Sequence, residues 1–380
     1  MRRIPTRYRA PTGLVATVLL LAAIAVGAPS ATAATKPSNG LIAFSGKRSG
    51  SRVIYTRQSN GTRLRVIPTR GRADYPAFSP RGRRLAVTRY PPGQANIWIE
   101  YVDGTGLRPL TTGPADTMAA WAPDATGVAF ARGPKGRRDV HRVLADGAGL
   151  KQLTRSVRND EAPTWSVRQQ VAFVRRNSSS SDLYSVNAGG GRARRLTRSP
   201  DSDLAPAWSP TGRTLVYSKG RRGHRDLYAL TADGRHRRRL TAVRGDEGEP
   251  AFSPDGTRVS LTHTRAGKRR LYLMKVKGKP IRKLPRRSRR VRRLSTAGSA
   301  ANAPTWQPGG LDPVIAAAGD IACDPASAAF NNGVGRPGVC RQKLSSDQLL
   351  RMDLSQVLTV GDEQYERGRL AAFLRSFTPS

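Results

Sequence analysis

Two aspartates stand where carboxylates most readily meet a metal. Gly319-Asp320 closes the apolar run Val314-Ile315-Ala316-Ala317-Ala318, and Gly361-Asp362 closes Val357-Leu358-Thr359-Val360. Between the runs, Leu344 to Leu354 has helical spacing, with Ser345 or Ser346 placed to cap it. Strand, crossover helix and strand make a βαβ unit. Both Gly-Asp pairs then fall at strand C-termini, outside which α/β folds bind their ligands. Carboxylates there suit a hard or borderline metal, because they ligate one ion or bridge two. Cys323 and Cys340, the only cysteines, lie in the same segment. In an exported chain a disulfide is the default for such a pair, closing a loop worth about 3 kcal/mol in the chain-entropy account.

The greater part of the chain is built differently. An aromatic residue followed by glycine six positions later recurs as Tyr55/Gly61, Trp98/Gly104, His141/Gly147, Tyr184/Gly190, Tyr228/Gly234 and Tyr272/Gly278. The steps are 43 or 44 residues, so one supersecondary unit is copied in a ring or array. Each copy reads as four strands. The first is a Pro-Ala-aromatic-Ser-Pro block around Phe78, Trp208 and Phe252, with looser copies at Trp121, Trp165 and Trp306. The second is a β-branched or aromatic run such as Val128-Ala129-Phe130, and the third holds the recurrent aromatic. The fourth leads to Leu-Thr at Leu110, Leu153, Leu196 and Leu240. Four antiparallel strands joined by glycine turns make a propeller blade. Strand one is missing ahead of Leu41-Ile42-Ala43-Phe44 and reappears as Ala303-Pro304-Thr305-Trp306, so one blade is shared between the ends. The expected fold is all-β, a six-bladed β-propeller with a shared closing blade over 34–310, followed by a C-terminal α/β (βαβ) partial domain over 311–380.

The blocks Pro-Ala-Trp-Ser-Pro-x-Gly, Asp-Leu-Tyr and Arg-Arg-Leu-Thr resemble the WD-type repeats of the TolB family of six-bladed propellers, over roughly residues 39–308. That resemblance implies a protein-interaction scaffold of the cell envelope. Related propellers precede serine-peptidase domains, but no Gly-x-Ser-x-Gly nucleophile elbow occurs in this sequence. In the tail, Gly319-Asp320-Ile321-Ala322-Cys323 and Gly361-Asp362-Glu363-Gln364-Tyr365-Glu366 resemble the opening motifs of calcineurin-like metallophosphoesterases, nearest the purple-acid-phosphatase type. This resemblance implies Asp320 as a terminal metal ligand, Asp362 as the bridge and Tyr365 as a ligand to ferric iron. The implied cofactor is a dinuclear metal, iron with zinc, manganese or iron, and the implied substrate a phosphate ester. The family also needs Gly-Asn-His and further histidines. The four histidines here, at 141, 224, 236 and 263, all fall in the repeats. The expectation is therefore an incomplete metal centre within these residues, with a phosphoesterase whose domain continues past Ser380 as the alternative.

Charge sets the remaining expectations. Arg2, Arg3, Arg7 and Arg9, the apolar run Leu14 to Val26, and Ala31-Thr32-Ala33 predict a signal peptide over 1–33. Removing those arginines takes the formal charge from +40 to +36, and the excess lies in the repeats. A basic exported domain is drawn to wall polymers, anionic lipid or released nucleic acid. The densest run, Arg282 to Arg293, interleaves no aromatics for base stacking and reads as a solvated insertion, so no specific nucleic acid is expected. The expected partner is a protein or an anionic cell-envelope polymer, and the chain is expected to be an extracytoplasmic monomer with no transmembrane anchor after cleavage. Phe78, Trp121, Trp165, Trp208, Phe252 and Trp306 are expected to pack between blades. Asp74, Asp116, Asp160, Glu161, Asp203 and Glu249, just ahead of strand one, either ring a channel mouth or accept hydrogen bonds from loop amides.

Overall fold

The computed structural model describes residues 38–68, 71–92, 94–277, 291–294 and 302–309, with two further strands at 315–318 and 356–359. The expected signal peptide and the run Arg282 to Arg290 lie outside the described residues, which contain no helix.

The strands fall into groups of four. The first group is β1 (Ser38–Arg48), β2 (Ser51–Gln58) and β3 (Arg65–Val66), completed by a strand from the other end of the repeats. The second is β4 (Ala73–Phe78), β5 (Arg84–Arg89), β6 (Asn96–Tyr101) and β7 (Arg108–Pro109). The third is β8 (Thr117–Trp121), β9 (Gly127–Arg132), β10 (Asp139–Leu144) and β11 (Lys151–Gln152). Then come β12 (Asp160–Trp165), β13 (Gln170–Arg176), β14 (Ser181–Asn187) and β15 (Arg194–Arg195). The fifth group is β16 (Ser202–Trp208), β17 (Thr214–Arg221), β18 (His224–Thr231) and β19 (Arg238–Arg239). The sixth is β20 (Gly245–Phe252), β21 (Arg258–Arg265), β22 (Lys268–Lys275) and β23 (Val291–Arg293). Finally β24 (Asn302–Gly309) pairs antiparallel with β1, setting Ile42 opposite Trp306, so the first group is closed by the last strand as the repeat pattern predicts.

First strands touch first strands in a closed circuit: β4 with β8, β8 with β12, β12 with β16, β16 with β20, β20 with β24, and β24 with β4. Each sheet is therefore covered on both faces by its neighbours. The second strands accordingly read as continuous apolar runs rather than alternating ones. Val128, Ala129, Phe130 and Ala131 are all fully buried, as are Leu85, Ala86 and Val87.

The recurrent aromatics cement these layers. Trp121 packs with Ala86, Ile97 and Ile99 of the preceding group, and its indole Nε1 donates to the Ala77 carbonyl at 3.1 Å. Trp306 likewise packs on Leu271 and Leu273 and donates to the Ala251 carbonyl at 3.1 Å. The inter-unit role expected of this column is what the packing shows. The strand-three aromatics pair across the sheet with strand two, as Phe44 with Tyr55, Phe173 with Tyr184 and Tyr217 with Tyr228. The Leu-Thr blocks end each unit through a buried bond. The hydroxyls of Thr111, Thr154, Thr197 and Thr241 accept from the amides of Ile97, Val140, Leu183 and Leu227 at 2.8–3.1 Å.

Beyond the repeats, β25 (Ile315–Ala318) and β26 (Gln356–Thr359) pair in parallel, Ala318 opposite Thr359. The residues between them, where the crossover helix is expected, lie outside the described residues.

Candidate binding channel and end faces

The six first strands wall a cavity of about 620 Å³. Each enters it through the same irregularity. Between Asp74 and Ala77, Thr117 and Ala120, Glu161 and Thr164, Leu204 and Ala207, Gly248 and Ala251, and on β24 between Asn302 and Thr305, one extra residue bulges from the ladder. At each bulge a residue with a side chain is left-handed: Tyr75, Met118, Ala162, Ala205, Glu249 and Ala303, with φ between 46° and 59°. Such a conformation costs roughly 1–2 kcal/mol per residue. It persists because the next residue, proline in every copy but one, has no amide to lose from the ladder there. The bulge is also why the first strands begin earlier than the Pro-Ala-aromatic block suggested, and take the acidic residues into the sheet.

That placement corrects the expectation for those acids. Of the six, Glu161 and Glu249 line the cavity, while Asp74, Asp116, Asp160 and Asp203 are buried and do not. Their main partners are cations on neighbouring strands rather than loop amides. Arg132 donates to both Asp116 oxygens at 2.7 and 2.8 Å, and Arg175 to both of Asp160 at 2.7 Å. Asp74 is held by Arg52 at 2.6 Å and by the Ser45 hydroxyl. Glu161 is paired with Arg176 and Arg138, and Glu249 with Arg269 at 2.6 Å. Burial raises the Asp160 carboxyl against the pull of Arg175, while the bonds to Asp160 raise the Arg175 guanidinium.

The acid–base position varies around the circuit. The fifth unit has Asp203 with Lys219, whose Nζ stands 3.7 Å away, and neither carboxylate oxygen of Asp203 makes a hydrogen bond. Burial raises that carboxyl. The sixth has Glu247 with His263 Nδ1 at 2.5 Å, and burial pushes Glu247 up to about 7. In the second unit the acid is missing: Ala73 stands opposite Arg89. Sequence reading passed over Glu247, His263 and the partner cations. The signal that would have found them is the acid-to-base spacing of 15 or 16 residues in successive copies.

The two ends of the structure are chemically unlike. One carries the turns between strands one and two and between strands three and four. The other carries the strand two–three hairpins and the connectors between units. Hydrogen bonds knit that second set together, as Asn159 to the Arg138 amide and Asp246 to the Gly223 and Arg225 amides. At the turn end, Asp103, Asp124 and Asp233 are exposed and hold the turns through bonds from Thr105, Thr126, Thr231 and Arg235. Those bonds hold their carboxyls below the usual range. Leu64, Tyr101, Leu144, Leu150 and Val167, exposed by 36–51%, are at this end too. Among the described residues every carboxylate at the hairpin end is buried or half-buried, and the exposed charges there are Lys and Arg.

The closed circuit of four-stranded units with a shared first sheet is the arrangement of a β-propeller, and the family comparison agrees. The family model described as TolB beta propeller domain matches residues 26–169 and 145–320. The chain belongs to that family. The TolB-like propeller is similar to the structure of TolB from Acinetobacter baumannii at 17% identity, over 71% of this chain and 67% of that one, with a TM-score of 0.60. It is similar to putative TolB from Agrobacterium tumefaciens at 19% identity, over 54% of this chain and 80% of that one, with a TM-score of 0.50. A chain of a Nidogen/Laminin complex matches at 11% identity, over 71% of this chain and 99% of that one, with a TM-score of 0.53. At these identities the likeness is one of fold. No protein of curated function matches this TolB-like propeller. Asp320, Asp362, Tyr365, Cys323 and Cys340 lie outside the described residues. Among the described residues no group of three or more His, Cys, Asp or Glu side chains is placed to hold a metal, and no helix is long and apolar enough to cross a membrane.

Proposed function

We propose that the chain is an exported, six-bladed TolB-like propeller acting as a protein-binding scaffold of the cell envelope, with the turn end as its partner face. The observation that carries this reading is where the exposed apolar side chains lie. Leu64, Tyr101, Leu144 and Leu150 occupy the turn ends of three consecutive units, with Val167 in the next. Exposed apolar side chains gathered at one end and bordered by charge mark a protein contact surface. The neighbouring charges are of both signs, Asp103, Asp124, Asp146 and Asp233 with Arg63, Arg65, Lys151 and Arg168, and call for a partner whose apolar patch has a mixed charged rim. The predicted signal peptide and the TolB-like fold support export.

A photo-crosslinking side chain at Leu144 or Leu150 is expected to trap one discrete partner in the native host, and the same probe at Arg222 on the opposite end is not. Equal labelling from both ends would remove the turn end from this role.

One observation favours a second reading, a metal-dependent phosphoesterase. Strands β25 and β26 pair in parallel, and Asp320 and Asp362 follow their ends by two and three residues. Asp320, Asp362 and Tyr365 would hold the metals that activate the attacking water. Metal content and hydrolysis of a phosphate monoester by the native protein, both abolished by Asp362→Ala, would establish it. A metal-free, inactive native protein would exclude it.

A further inference from the structure

Among the described residues, exposed Lys and Arg side chains stand at both ends of the molecule, but exposed carboxylates stand beside them at one end only. At the hairpin end, Lys47, Lys135, Arg137, Arg222 and Lys268 stand exposed on hairpins of four different units, and Arg158 on a connector joins them. Among the described residues the β5–β6 hairpin adds no exposed cation, and the β13–β14 hairpin adds only Arg176, which is paired with Glu161. The carboxylates that would neutralise this face have been drawn inward. Asp74, Asp116, Asp160, Asp182, Asp203, Asp226 and Glu247 are buried, most of them in the cross-strand pairs described above. The opposite end keeps Asp103, Asp124, Asp146 and Asp233 exposed. Exposed carboxylates at one end and none among the described residues at the other give the molecule an electrostatic polarity that its net charge alone does not require.

The layout of these cations restricts what they fit. A linear polyanion is followed by cations lined up along a groove, and single-stranded nucleic acid needs aromatic platforms as well. Here the exposed cations sit on hairpins and connectors of successive units around the closed circuit, all at the one end that the shared topology gives them. Among the described residues no Phe, Tyr or Trp is exposed at this end, and His224 is the one exposed ring. Charges gathered at one end of a closed circuit are complementary to a plane of charge. Between Arg155 and Arg158 the connector carries Val157, 96% exposed, the single large apolar side chain offered at this end among the described residues. An apolar tip flanked by arginines fits the boundary between lipid headgroups and acyl chains.

We propose that the hairpin end docks on an anionic bilayer surface, its Lys and Arg side chains against phosphate headgroups. It goes beyond the scaffold reading, from which it takes only export, and leaves the turn end free for a partner. Each cation near an anionic surface adds to binding, and the attraction is screened within about a Debye length.

The test is sedimentation of the full chain with phosphatidylcholine vesicles, with and without phosphatidylglycerol. Two variants with the same change in net charge are compared. One neutralises the hairpin end (Lys135→Gln, Arg137→Gln, Arg222→Gln, Lys268→Gln). The other neutralises the turn end (Arg63→Gln, Arg192→Gln, Arg213→Gln, Lys275→Gln). Both keep the run Arg282 to Arg293. The expected result is salt-sensitive binding that needs phosphatidylglycerol, weakened at least about tenfold by the first set and little by the second. As a second readout, Val157→Trp is expected to shift its emission to the blue on anionic vesicles while Val167→Trp does not. Equal weakening by both sets would mean net charge alone and would overturn the proposal. Binding of soluble polyphosphate without vesicle binding would overturn it in favour of a polymer. Because vesicle binding is read without any protein partner, and crosslinking at Leu144 or Leu150 without vesicles, failure here and failure of the partner-face experiment are separately visible.

Discussion

Glu100 is the most exposed to test of the buried groups, although it is 1% accessible. It sits on β6 opposite Leu85, and neither carboxylate oxygen has a hydrogen-bond partner. Burial pushes its pKa from 4.5 up to about 7, against the pull of Arg89. A carboxyl whose folded pKa lies above its unfolded value is held neutral by the fold, so the folded state binds the extra proton. Stability from this group is therefore whole below the unfolded pKa and falls as pH rises to the folded one. A shift of this size corresponds to about 3 kcal/mol, lost mainly between about pH 4.5 and pH 7. Glu100→Gln keeps shape and polar atoms but cannot ionise. Chemical denaturation of both proteins should show near-equal stability at pH 4.5 and a variant more stable by about 3 kcal/mol at pH 8. Taking the difference cancels the titration of Glu247 and the buried pairs. A constant difference across this range would refute the reasoning, because it would mean that Glu100 ionises in the folded state as easily as in the unfolded one.

Three further outcomes follow from the acid–base positions and the bulges. Arg175→Ala strands the fully buried Asp160 and should cost about 3–5 kcal/mol, whereas Asp160→Leu with Arg175→Met should recover most of it, as a double-mutant cycle by denaturation would show. Lys219→Arg should stabilise by about 1 kcal/mol, read as a raised melting temperature, because a guanidinium can reach both Asp203 oxygens as Arg132 and Arg175 reach theirs. Ala162→Gly should be neutral or stabilising by up to about 1 kcal/mol despite the usual penalty for glycine in a strand, since φ is 51° there; a clear loss of stability would argue against the strained bulge.

Much of the scaffold could be read directly. The period of 43 or 44 residues, the glycine turns at Gly61, Gly104, Gly147 and Gly234, and the strand displaced from the front of the repeats to Trp306 are all statements about local order. The tryptophan column could be read for a related reason: a bulky aromatic repeated at one strand position must fill the same gap in every unit. The acidic residues were misread because their partners depend on register. Asp160 meets Arg175 only once the bulge at Ala162 has inserted its extra residue and carried the ladder past the proline. Without that bulge the acids look like loop residues awaiting amides.

What the sequence determined by itself was the repeated unit, its strands and its closure, because turn chemistry and the alternation of apolar runs act over a few residues. What the tertiary structure alone decided was which carboxylates are buried and by which cations they are held. It decided as well which exposed charges and apolar side chains are gathered at each end. Those are properties of neighbouring units pressed together, where burial, register and low dielectric act between residues far apart in the chain.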